Sequence, residues 1–307
     1  MLSIFLEFRP RLRKRRLHAV AAAMVLGLPA TAHAAAVDAY YERSVMSAAG
    51  ERCGLFTPSL ASALASSQAQ ARGAALRSGV DPASLDRVAQ RARSKAYTVP
   101  CASSDIRTPA DRVRTAFAAY AKLTKMSFPG DLNAWSADRT AYTYAGWRLS
   151  QPAAFGWDRM IFGIAGQDNE SGLLAVAVFA DGANPYAARL VMRDPARASG
   201  PYLDSLLATP SSRLPLAQRT PPRYAARVFQ AQARDTAGVG LLPKGAKTGV
   251  AFRFPSQAAA ALAALDPREA IAVEFVFAGR SGDQVRTAYV EVGDFAAARA
   301  FLAVAQR

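Results

Sequence analysis

The spacing of apolar residues changes after Met126, from a helical period to short strand-like runs, and this points to helices followed by sheet. Upstream, Thr57-Pro58, Asp81-Pro82 and Thr108-Pro109 repeat one start signal. A side-chain oxygen caps free amides, and a proline follows where no amide donor is needed. Leu85, Val88, Ala92 and Ala96 follow the second pair at helical spacing, and Val113, Phe117 and Tyr120 follow the third. Val37, Tyr40, Tyr41 and Val45 give a first helix that Gly50 helps to end. A small four-helix bundle is expected over residues 35–126.

Residues 127–139, with Pro129-Gly130 and Trp135, read as a linker. Strands are then expected at 142–149, 160–165, 173–180 and 187–193, with a polar hairpin loop at 166–172 and a turn at 181–185. Six prolines in 195–222 make a long connection, with a short helix at 202–208. Strands resume at 224–232, 250–254, 271–277 and 285–292. Helices are expected at 255–265 and after Asp294, which caps the last one. The fold class is α+β: a helical domain, then a mainly antiparallel domain over 127–307 with two or three packed helices. Its halves, 140–194 and 223–307, each carry an apolar hairpin and could be a diverged duplication.

Both histidines, His18 and His33, fall in a segment with the order of a secretory signal. Residues 9–16 carry six cationic side chains, 17–28 are apolar, and small residues fill 30–36. Ala32 and Ala34 place cleavage before Ala35, so residues 1–34 are expected to be removed and the protein to be periplasmic or secreted. An uncut anchor is the alternative, but twelve apolar residues fall short of the roughly 18–20 that span a bilayer. No later segment is a span candidate. The delivered chain would then lack imidazole, which removes His-assisted nucleophiles and His metal sites. No cofactor or metal is expected.

Without residues 1–34 the chain has 273 residues, with 32 Lys or Arg against 22 Asp or Glu. This basic balance suits an anionic envelope component, or another envelope protein, as partner. The arginines are spread along the chain rather than clustered, and nucleic acid is not expected. Cys53 and Cys101, the only cysteines, are expected to form a structural disulfide in an oxidising compartment. Closing that loop would stabilise the fold by about 4 kcal/mol.

Residues 240–248 approach a phosphate-binding loop, but Ala246 separates Gly245 from Lys247, so the region reads as a turn. No G-x-S-x-G or S-x-x-K motif occurs. Two aromatic–carboxylate clusters remain: Trp135-Ser-Ala-Asp138-Arg139 and Trp157-Asp158-Arg159. A carboxylate pair is the minimum equipment for glycoside cleavage, and indole faces stack on sugar rings. The blander reading is an acid neutralised by its neighbouring arginine beside a core tryptophan. Trp135, Trp147 and Trp157 are the ligand-binding candidates, and Asp138 and Asp158 the catalytic ones if the protein is an enzyme. A non-enzymatic envelope protein that binds a partner or ligand is the first expectation. A carboxylate-dependent glycan hydrolase or lyase, and a binder of anionic surfaces, are the alternatives.

Overall fold

The computed structural model describes residues 29–140, 144–167, 171–203 and 211–303. Helix α1 (Pro29–Cys53) is followed by α2 (Pro58–Arg77), α3 (Pro82–Thr98) and α4 (Ser104–Lys122). The expected caps form at two starts: Thr57 accepts from Leu60 N–H and Asp81 from Ser84 N–H, each before a proline. The third start differs. Ser103 caps α4 through Asp105 N–H, so Pro109 lies inside the helix rather than opening it. Gly50 also lies within α1, where a Cβ would sit 2.5 Å from the Phe56 ring. It is a packing glycine, and the helix ends at Cys53, before Gly54 (φ 63°).

The Cys53–Cys101 disulfide forms, with Cα atoms 5.8 Å apart, and ties the end of α1 to the turn between α3 and α4. Arg52 braces the same corner by donating to the carbonyls of Tyr97 and Val99. Tyr40, Leu76, Leu85 and Val88 form the main apolar contact among the first three helices.

Eleven strands among the described residues make two antiparallel sheets. The larger contains β1 (Lys125–Pro129), β2 (Ala134–Asp138), β3 (Gly146–Phe155), β4 (Asp158–Gly166) and β5 (Gly172–Val178), then β9 (Val250–Arg253) and β8 (Ala233–Thr236). The smaller runs β11 (Gln284–Glu291), β10 (Ala270–Phe277), β6 (Ala187–Arg193), β7 (Ala226–Gln230). Their inner faces enclose the largest core, where Trp135, Phe162 and Phe252 meet Leu190, Val273 and Phe275. Helices α5 (Ser256–Ala263) and α6 (Phe295–Leu302) pack on this core.

Residues 127–139 are therefore a hairpin rather than a linker. Phe128 faces Trp135 across it, and both are fully buried. The segments 140–194 and 223–307 exchange strands: β9 joins β5 in one sheet, and β10 joins β6 in the other. They do not close as two separate halves. The turn at 181–185 carries the chain from one sheet to the other. Most of the short helix expected at 202–208, and residues 1–28 of the segment expected to be a signal, lie outside the described residues. No described helix is long and apolar enough to cross a membrane.

Helix α2 docks on α6, which joins the helices to the sandwich. Ser66 donates to Ala297 O at 2.7 Å, and Arg77 makes two bonds to the Asp294 carboxylate. Asp294 accordingly makes no side-chain cap for α6, because its oxygens are held by the guanidinium.

Candidate functional site

The three tryptophans do not converge. Trp135 is fully buried on β2, with its N–H donating to Val292 O at 2.9 Å and its ring 4.9 Å from that of Phe295. It fills the core and offers no face to a ligand, because both sides of its ring are packed. Trp147 is half-buried near the start of β3 and donates to Leu241 O. Trp157 alone is open, 92 % exposed.

Nor do the two carboxylates meet. Ala137 pairs with Leu149, while Asp158 pairs with Phe155, so β3 separates the acids by about six residues. At about 3.4 Å per residue the gap is roughly 20 Å. Glycosidase carboxylates lie within about 10 Å of one another. Asp138 is ion-paired with Lys125 at 3.1 Å and accepts Thr140 N–H. Its neighbour Arg139 serves α4 instead, donating to the Leu123 and Tyr120 carbonyls near that helix's C-terminus.

Asp158 sits at the better-formed place. A two-residue turn, Gly156-Trp157, joins β3 to β4, and the positive φ of Gly156 (64°) permits it. The turn leaves the Trp157 ring outside while Asp158, next in the chain, is buried. Asp158 accepts Ala180 N–H at 2.9 Å and Arg286 Nη1 at 3.1 Å. Arg286 also reaches both oxygens of Asp181, at 3.1 and 2.5 Å. This hydrogen bonding from the guanidinium, with help from Ala183 N–H, holds the Asp181 carboxyl down to about 2. Arg286 further lies over the Phe277 ring, 4.8 Å from its centroid.

Together these residues border a cleft of about 850 Å³ between the Trp157 turn and β11, with Phe155, Thr287 and Tyr289 on its walls. Sequence reasoning found Trp157 and Asp158 but assigned Asp158 to the adjacent Arg159. The partner is Arg286, 128 residues away, and no local signal announces it. Asp181, Thr287 and Tyr289 were missed for the same reason. A second depression holds Lys125, Asp138, Tyr144 and Trp147. Among the described residues, no three His, Cys, Asp or Glu side chains cluster to hold a metal.

Within the Trp157 cleft every acid is committed to Arg286 or to a backbone amide, which leaves no free base poised to take a proton. What the arrangement can do is present an aromatic face and fixed charges to a bound molecule. No family model, curated protein or solved structure matches the chain.

Proposed function

We propose that this is an exported, non-enzymatic protein of the cell envelope that binds a partner at the cleft between the Trp157 turn and β11. The exposure of Trp157 carries the reading. A tryptophan held exposed on a tight turn offers a large apolar face without much side-chain entropy to lose on binding. The fixed Asp158–Arg286–Asp181 charges beneath it add orientation. The roughly 20 Å between Asp138 and Asp158 speaks against the hydrolase alternative, which needs the pair together.

Co-sedimentation with isolated envelope fractions tests this. Wild-type protein is expected in the pellet, and Trp157→Ala in the supernatant with an unchanged circular dichroism spectrum. Release of soluble glycan that depends on Asp138 or Asp158 would replace the binding reading with the hydrolase. Equal sedimentation of both proteins removes Trp157 from the interaction.

A further inference from the structure

We infer that the cleft takes an extended peptide segment of a partner protein, added as a further strand to the free edge of β11. The inference rests on the binding reading above and names its ligand class. β11 is an edge strand of the smaller sheet. Which of its backbone groups point outward is fixed by Glu291, whose N–H and C=O are both taken by the Gln151 side chain from β3 rather than by β10. Val292 N–H, one residue on, turns the other way and bonds Glu269 O. By the two-residue repeat of a strand, Tyr289, Thr287 and Val285 share the outward orientation of Glu291. Among the described residues, no hydrogen bond reaches the outward N–H and C=O groups of these three. Gln151 thus closes one end of the edge and leaves about 14 Å of it open, the length of a five-residue strand.

Protein edges are ordinarily guarded by proline, lysine, bulges or an inward-pointing charge. Both edges of the larger sheet are guarded, since β1 carries Lys125 and ends in Pro129 and the short β8 carries Arg234 and Asp235, and the far edge of the smaller sheet, β7, carries Arg227. On β11 the outward row is Val285, Thr287 and Tyr289, all good strand formers and uncharged. Its inward charge, Arg286, is already neutralised by Asp158 and Asp181 and so does not repel an added strand. Space exists as well. β2 pairs with β3 only at Ser136–Ser150 and Ala137–Leu149, so the Phe155 end of β3 extends past it beneath the cleft. A strand lying there would pair its backbone with β11 and pack one face against Phe155 and Trp157. The two carboxylates against one guanidinium favour a neutral or basic segment over an acidic one.

The test uses eight-residue fluorescein-labelled peptides of alternating Val and Thr with one Lys moved through each position, read by anisotropy. Each is paired with versions N-methylated on odd or on even residues. Binding is expected, with methylation of one set lowering affinity at least tenfold and of the other set having little effect. Thr287→Pro should abolish peptide binding while keeping the thermal melt, because it deletes an outward amide that β10 does not use. Equal binding of both methylated sets, unaltered binding by Thr287→Pro, or no binding by any peptide overturns the inference. A dimer that Thr287→Pro converts to monomer in light scattering overturns it too, and gives the edge to a second copy. If no peptide binds while Trp157→Ala still loses envelope sedimentation, the binding reading stands and only its ligand class falls. If peptides bind equally to Trp157→Ala, the Trp157 reading falls instead.

Discussion

The side-chain amide of Gln151 accepts the Glu291 N–H at 2.8 Å and donates to the Glu291 C=O at 3.2 Å, imitating a neighbouring strand for one residue of β11. Both residues are fully buried, so neither backbone group has water as a substitute. Leaving a buried donor and acceptor unmade costs about 1–3 kcal/mol for each group. Gln151→Leu, close in volume, is therefore expected to lower stability by about 2–4 kcal/mol in urea unfolding, with an unchanged slope. A loss under about 0.5 kcal/mol would mean that this edge finds other partners.

Beyond the same residue, the Glu291 carboxylate lies inside the β1–β2 turn, accepting the N–H groups of Asp131, Leu132 and Asn133 at 2.7–2.9 Å. Gly130 is required there, since a Cβ would come within 2.6 Å of the carboxylate. Arg219, also fully buried, completes the site with bonds to Glu291 at 3.0 Å and Asp131 at 3.3 Å. Removing one partner strands a buried charge, which destabilises by about 3–5 kcal/mol. Arg219→Met should show a loss of that size in chemical denaturation. Adding Glu291→Gln should recover part of it, because the charge left behind is gone. Additive losses would count against a shared charge site.

Gly73 sits on α2 where a Cβ would approach Asp294 Oδ1 to 2.1 Å. In an isolated helix Gly→Ala gains about 1 kcal/mol. Here the Asp294 carboxylate is nearly buried and held by Arg77, so it has little room to move aside. Gly73→Ala is expected to destabilise by about 1–3 kcal/mol despite the better helix former. In an Asp294→Ser background the same substitution should be neutral or favourable, and the non-additivity is the measurement that counts.

These contacts show what a sequence conveys and what it does not. Thr57 and Asp81 were legible as caps because the chemistry lies within three residues of the capped amide. Thr108-Pro109 has the same form, yet Ser103 with Asp105 in the first turn supplies an earlier start, and a local rule does not rank two starts five residues apart. The β1–β2 hairpin carried its alternation in Met126, Phe128, Trp135 and Ala137, but Pro129-Gly130 read as a break rather than a turn. Pro129 is admissible because it ends an edge strand. The Cys53–Cys101 pairing was legible by elimination. The cleft was half-legible. Its turn is local, whereas Arg286 and the β11 edge reach it only through sheet packing, as Arg219 reaches Glu291 across 72 residues.

Asp181 offers a test of the cleft's charges that needs no ligand. Its carboxyl lies at about 2, mainly because both Arg286 nitrogens bond it, against 3.8 for the free group. The folded value is below the unfolded one, so stabilisation from this pair is fully present above pH 4 and fades as pH falls through about 2. Arg286→Met should return the Asp181 midpoint, followed by carboxyl carbon NMR, toward its ordinary value of about 4. The melting-temperature gap between wild type and variant should hold steady from pH 7 to about 4.5 and narrow only below that. Because Asp181 is exposed, solvent and salt screen the pair and the gap should be small. A gap that closes instead between pH 7 and 5 would place the controlling proton on a group other than Asp181.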